Sequence, residues 1–315
     1  MTTLQIRPDT VEMAVPAAAY EYEKASRSES TWRGYESDLR SFRDAGFEIP
    51  CSAADVITYI SDQARAGYKA STIGRRLSSI SVAHQEIGTE NPTRHPRVKS
   101  VHAGIRRTLG TAPDQKNAIS VADLRSYFSM MNGSTKDIRN RAMLVAGFAG
   151  AFRRSELTAL NVEDLTPTDE GYRVRITRSK TDQEGKGRDI ALIYAADPDV
   201  CPVRLLRGWM TAAGITTGPL FRQVLKSGRV TGHRIDGRNV AVAVKAMAEA
   251  LELDPDLYGG HSLRRGFCTS AARGGASERQ IMRQSGHRSF VIVRQYIEAG
   301  SLFDEGENAV HALGL

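Results

Sequence analysis

Between Gly259 and Ile297 the chain reads GGHSLRRGFCTSAARGGASERQIMRQSGHRSFVIVRQYI. His261 and Arg264 lie three residues apart, a spacing that sets an imidazole and a guanidinium on one side of a helical turn. A helix starting near His261 also turns its free backbone N–H groups to the same place, which suits an anion. Gly274 and Gly275 end that helix, and Ser277 with Gln280 makes a capping box for the next. Gly286 stops this second helix and leaves His287 on the turn beyond, while a third segment, Phe290 to Ile297, carries Tyr296. An arginine can fork onto two phosphate oxygens, and a histidine can donate a hydrogen bond or move a proton. A phenol is a weak nucleophile at its ordinary pKa, so Tyr296 could attack a phosphate only where positive charge surrounds it. Each residue also has a plainer reading. His261 could be a helix-start group bonded to backbone, Arg264 a solvated face residue, and Tyr296 a half-buried core aromatic.

The elements that must hold these groups follow from periodicity. Ser120 caps a helix with Asp123 in its first turn and Leu124, Tyr127, Phe128 and Met131 inward. Ile138, Ala142, Val145 and Phe148 line a second, buried helix that ends near Gly150. Tyr172, Val174 and Ile176 alternate with Arg173, Arg175 and Thr177, which predicts a strand with one buried face. Residues 189–194 are its expected partner across a turn at 181–187, with a further short strand near 161–165. Cys201 to Ala213 reads as a helix, residues 222–238 as a basic loop region, and Val240, Val244, Met247 and Leu251 as the helix leading into the opening stretch.

The blocks HSLR at 261–264, SGH at 285–287 and VRQYI at 293–297 resemble the signature blocks of the tyrosine recombinase (phage integrase) family. AGAFRRSEL at 149–157 resembles the block with the family's first catalytic arginine, which falls on Arg153, with Arg154 as the alternative. RSKT at 178–181 resembles the hairpin tip with the catalytic lysine, which falls on Lys180, with Lys186 as its competitor. Five blocks in the family's order are far more specific than any one of them. The resemblance implies a DNA breakage-and-joining enzyme with catalytic residues Arg153, Lys180, His261, Arg264, His287 and Tyr296. Glu156 would hold Arg153, and the product of attack would be a 3′-phosphotyrosyl link. It implies no nucleotide cofactor and no metal. Its expected partner is double-stranded DNA carrying an inverted-repeat site, with a dimer on each site and a homotetramer at synapsis. Two departures stand out: Arg265 occupies a position where the family often has a second histidine, and Ala-Phe replaces the commoner Gly-Leu before the first arginine. A type IB topoisomerase, which relaxes DNA without a partner site, and a non-catalytic DNA-binding relative are the competing readings.

The remaining chain fits a mainly α protein with a small antiparallel β-sheet, its N-terminal half an all-α helical bundle. Residues 1–17 form an expected arm, 18–109 a helical DNA-binding domain, 110–118 a linker and 119–315 the catalytic domain, with a tail at 298–315 for subunit contacts. The resemblance places it in the two-domain, Cre-like branch of the family. Helical stripes run through Trp32, Tyr35, Leu39 and Phe42, through Val56, Ile57, Ile60 and Ala64, through Ile73, Leu77, Ile80 and Ile87 behind a Ser71 cap, and through Val98, Val101 and Ile105. Lys69, Arg75 and Arg76 form one basic group without a neighbouring acid, and Arg97, Lys99, Arg106 and Arg107 another; both are candidates for phosphate-backbone contacts. A net charge of +7 favours a polyanionic partner. Cys51, Cys201 and Cys268 are odd in number and widely spaced, which argues against disulfides and a zinc site. No apolar run or signal pattern points to a membrane or to secretion, so a cytoplasmic protein of bacterial, phage or plasmid origin is expected.

Overall fold

A computed structural model describes residue 22, residues 25–112, 115–177 and 186–301, and residue 313. The chain divides into two compact units that part between Asp114 and Gln115.

The first unit is built from four helices among the described residues: α1 (Glu29–Asp44), α2 (Ala53–Arg65), α3 (Ala70–Glu86) and α4 (Pro96–Leu109). Ser28 caps α1, and a reciprocal Ser52–Asp55 box caps α2. The expected stripes meet in one core of Phe42, Val56, Tyr59, Ile60, Ile73, Ile80 and Val98. Each such side chain contributes about 1.5–3 kcal/mol by leaving water, and Phe42 and Tyr59 add an edge-to-face contact at 4.8 Å. Helix α3 departs from expectation at its start. Lys69 occupies the cap position without capping the helix through its side chain, so Ser71 lies inside the first turn. The acid missing from the local sequence arrives from α1. Asp38, buried at 3% exposure, pairs with Arg75 at 2.8 Å and lies 3.9 Å from Arg76. Arg76 is itself buried and stacks 4.2 Å from the centre of the Tyr68 ring. It is a core cation here, and it drops out of the phosphate-contact candidates. Lys69, Arg97, Lys99, Arg106 and Arg107 are exposed.

In the second unit α5 (Val121–Ser129), α6 (Thr135–Ala149) and α7 (Arg154–Ala159) lead into an antiparallel sheet of β1 (Leu165–Thr168), β2 (Gly171–Ile176) and β3 (Arg188–Ile193). The alternation sets the register: Tyr172 faces Leu192 and Val174 faces Ile190, all four buried. Helix α8 (Pro202–Ala213) follows, then a two-stranded ribbon of β4 (Arg222–Val224) and β5 (Val230–Arg234), then α9 (Gly237–Ala250). That ribbon replaces the expected loop, and two of its arginines serve the fold. Arg234 donates to the carbonyls of Thr158 and Leu160 and to Asn161 Oδ1, which ties the ribbon to the end of α7. Arg222 donates to the carbonyl of Pro219. Helices α10 (Gly260–Arg273), α11 (Glu278–Ser285) and α12 (Phe290–Ser301) complete the unit.

The chain from Lys116 to Ile119 is strapped to the start of α10. Asn117 N–H donates to the carbonyl of Leu257 at 2.8 Å, Ile119 N–H to that of Ser262 at 3.3 Å, and Arg265 to that of Lys116 at 3.0 Å. The second half of the expected 110–118 linker is therefore packed structure. Gly266 makes room for it, since a Cβ there would lie 2.0 Å from the Ile119 carbonyl oxygen. The three cysteines are free, and no helix among the described residues is long and apolar enough to cross a membrane.

Candidate active site

Helix α6 ends in a break that frees an arginine. Gly150 caps it, Ala151 takes a left-handed φ of 47°, and Arg153 becomes the extended residue before α7. Glu156, in the first turn of α7, accepts from the Arg153 N–H at 2.9 Å and from its guanidinium at 2.6 Å. With only 2% exposure, Glu156 is a buried carboxylate committed to this task. Arg154 points elsewhere. Its stem lies over Gly260, where a Cβ would come within 2.2 Å of it. That separates the two candidate arginines: Arg153 reaches the shared site, and Arg154 covers the first residue of α10.

Arg264, one turn into α10, is 2% exposed. Its Nη1 donates to the carbonyl of Ala151 at 2.8 Å and to that of Ser285, so the arginine joins the break after α6 to the end of α11. Its Nε lies 3.4 Å from His287 Nε2. Its Nη2 is buried and lacks a hydrogen-bond partner among the described residues. Burial and the nearby Arg153 pull its pKa down to about 10, which leaves it charged at neutral pH. His287 follows the left-handed Gly286 (φ 68°), as the glycine stop predicts. Its Nδ1 lies 2.8 Å from Ser285 Oγ. Because Arg264 Nε–H needs an acceptor, the ring fits best with its proton on Nδ1 and its Nε2 lone pair toward Arg264. Burial, and then Arg264 and Arg153, press the His287 pKa down to about 3.

Tyr296 sits in the second turn of α12, half-buried, with its ring 5.7 Å from that of His287. Beneath it lies a small apolar cluster of Cys268, Ile281 and Val293. Burial raises the phenol's pKa, the proximity of Cys268 adds to this, and Arg264 and Arg265 oppose it. His261 stands exposed in the first turn of α10 and is close enough to His287 to depress its proton affinity. Lys180 lies outside the described residues, and Lys186 is exposed at the start of the return toward β3. Among the described residues no cluster of His, Cys, Asp or Glu could hold a metal ion.

The structure thus brings Arg153, Glu156, Arg264, His287 and Tyr296 together from three helices and two turns. It also brings in three residues absent from the sequence reading. Arg188 on β3 reaches Glu156 at 3.4 Å, Ser285 holds His287, and Gln284 donates to the carbonyls of Ala149 and Ala191. Arg188 had a visible signal. It shares the period-two phase of Ile190 and Leu192, which puts it on the buried face of the strand.

Comparison with known proteins shows the family. The family model "Phage integrase family" matches residues 117–301, and "Phage integrase, N-terminal SAM-like domain" matches residues 20–90. An integrase/recombinase XerD homolog of Selenomonas ruminantium is 36% identical over 289 residues, covering 89% of this chain and 84% of that protein. The tyrosine recombinase XerD of Rickettsia conorii is 24% identical, covering 85% of this chain and 88% of its own length. Among solved structures, the Tn1549 transposon integrase in complex with transposon right end DNA matches with a TM-score of 0.63 at 15% identity, covering 93% of this chain and 98% of that one. The XerH recombinase bound to a palindromic difH substrate matches at 0.60, also at 15% identity, covering 84% of this chain and 73% of that one. This chain belongs to the phage integrase family, the tyrosine recombinases, enzymes that break and rejoin DNA strands.

Proposed function

We propose that the protein recombines double-stranded DNA at a specific site, with Tyr296 as the nucleophile and a phosphate held by Arg153 and Arg264. The observation that carries this reading is the charge arrangement. Arg153 and Arg188 contact Glu156, and Arg264 lies within its electrostatic reach. Glu156 is the only buried carboxylate of the second unit among the described residues, and Arg264 Nη2 has no hydrogen-bond partner among them. Such a site is short of negative charge, and a phosphodiester supplies it.

In the reaction, the Tyr296 oxygen bonds to phosphorus as the P–O5′ bond breaks, which leaves a 3′-phosphotyrosyl link and a free 5′-hydroxyl. Arg153 and Arg264 stabilise the charge on the non-bridging oxygens. Removal of one such donor commonly costs about 10²–10³ in rate. Lys180 protonates the leaving 5′-oxygen, and His261 takes the phenol's proton. His287 in its DNA-free form spends both ring nitrogens on Arg264 and Ser285. To donate to a phosphate its Nε2 must gain a proton, a change favoured once an anion offsets Arg264 and Arg153. A second strand's 5′-hydroxyl then displaces the tyrosine. One phosphodiester is exchanged for another, so the reaction requires no nucleotide cofactor.

We further propose a dimer on each inverted-repeat site, a homotetramer at synapsis, and action in the cytoplasm at the nucleoid. Helix α12 supports the subunit contacts: it opens with Phe290, Val291 and Ile292, exposed by 54%, 66% and 43%. Three adjacent exposed apolar side chains beside the nucleophile suit a protein partner. The exposed Lys69, Arg97, Lys99, Arg106 and Arg107, together with Arg75, remain the proposed phosphate-backbone contacts of the first unit. Covalent capture on a library of nicked duplexes with randomised sequence tests the reading. Sequencing the protein-linked DNA should give one site with inverted arms, and two copies of it on a plasmid should recombine. Relaxed plasmid without joined products would favour a topoisomerase instead.

A further inference from the structure

Arg188 has no place in the reaction above, yet its side chain is tied both to the carboxylate that holds Arg153 and to the end of α11 that presents His287. It is the first residue of β3, on the strand's buried face, with 22% of its side chain exposed. Nη1 donates to the carbonyl of Gln284 at 2.7 Å, in the last turn of α11, and Nη2 lies 3.4 Å from Glu156 Oε2. That same carboxylate oxygen accepts from the backbone N–H of Arg153, while Oε1 takes the Arg153 guanidinium. Arg188 Nε is buried and unpaired, pressed against Gly286, where a Cβ would come within 2.7 Å of it. Gly286 is the residue before His287. One guanidinium therefore spans the carboxylate that orients Arg153 and the turn that presents His287.

We infer that Arg188 is a positioning residue of the reaction, which sets Glu156 and the His287 turn so that Arg153 and Arg264 meet the scissile phosphate together. The inference rests on the proposed role of Arg153 as a clamp. The chemistry is that of a shared counter-ion. A carboxylate held by two arginines from different elements has its rotamer fixed by both, and loss of either lets it swing and carry the other with it. Lysine keeps the charge but offers a point contact in place of a fork, so it cannot hold Gln284 and Glu156 at once.

Single-turnover cleavage of the captured site, as a nicked duplex, decides the matter. The proteins are wild type, Arg188→Gln, Arg188→Lys and Arg153→Ala, each checked for DNA binding and for its melting temperature. Each is assayed on the natural phosphodiester and on a methylphosphonate at the scissile position. The methylphosphonate lacks one anionic oxygen and so asks less of the clamp. Arg188→Gln should cleave the phosphodiester at least tenfold more slowly than wild type while binding DNA normally. Arg188→Lys should recover only part of that loss. On the methylphosphonate, the defects of both Arg188→Gln and Arg153→Ala should shrink together. If Arg153→Ala is rescued but Arg188→Gln is equally slow on both substrates, Arg188 is a structural residue and the inference falls. If Arg153→Ala is not rescued, the clamp assignment falls and this inference with it. If Arg188→Gln melts far below wild type, Arg188→Lys carries the comparison, and wild-type cleavage by that variant on both substrates overturns the proposal.

Discussion

Arg264 shows how much a buried cation can be asked to do. It closes two backbone carbonyls, faces His287 and leaves one buried nitrogen without a hydrogen-bond partner among the described residues. Arg264→Ala should therefore lose twice. Cleavage should fall by about 10²–10³, and unfolding in urea should show a stability loss of about 1–3 kcal/mol for the orphaned polar groups. A variant with normal cleavage would remove Arg264 from the site. His287 makes a prediction in pH. Its folded pKa of about 3 lies below the ordinary histidine value near 6.5, so the unfolded chain binds the proton first as pH falls. Its contribution to stability is present above pH 6.5 and is lost progressively down toward pH 3. DNA-free wild type should thus lose melting temperature in that window more steeply than His287→Gln; equal slopes would mean the ring is not buried neutral. Residues of this kind were legible because their spacing is local: His261, Arg264, His287 and Tyr296 sit on three consecutive elements. Arg188 and Ser285 were not picked out, because their partners come from 32 residues upstream in one case and from a turn's detailed shape in the other.

Helices and caps were the easiest elements to read, since period and cap chemistry act within a few residues. The Ser120–Asp123 and Ser277–Gln280 boxes, the Gly286 stop and the pairing of β2 with β3 all stand as the spacing predicts. The β4–β5 ribbon was missed because its strands are short and mixed in polarity, with no alternation to betray a buried face. Arg234, which holds it to α7, reads in sequence as one more surface cation. The Ser71 cap failed because Lys69 already has extended backbone and α3 begins directly after it. The strap over α10 depends on a contact between Ile119 and Gly266 that no local pattern reveals. Gly266→Ala puts a methyl group against backbone that cannot rotate away. It should cost about 1–3 kcal/mol in urea unfolding, the usual range for overpacking, and slow cleavage by shifting Arg264. An unchanged unfolding midpoint would mean the strap yields freely.

On the scale of the whole molecule, the charge distribution differs between the units: exposed arginines and lysines on α3, at its start and on α4 in the first, and a cluster of arginines around Glu156 in the second. The five blocks made the family legible, while the acid Asp38, remote from Arg75 and Arg76 in sequence, concealed which cations are free to meet DNA. Exposed charge makes salt the natural probe. Arg106→Ala with Arg107→Ala should weaken DNA binding and flatten its dependence on salt by about one to two counterions; unchanged affinity and slope would remove α4 from the interface. Assembly is tested at the start of α12. Phe290→Glu should leave binding and cleavage at a single site intact while abolishing joined products from two sites, and full recombination by this variant would place the subunit contact elsewhere. The central claim is the covalent one. The measurement that tests it most directly compares wild type with Tyr296→Phe on a nicked duplex of the captured site, followed by SDS and gel analysis. Wild type should form a protein–DNA adduct whose tyrosine-linked peptide contains Tyr296, and Tyr296→Phe should bind the duplex and form none. An adduct of equal yield from Tyr296→Phe would mean that another residue attacks the phosphate.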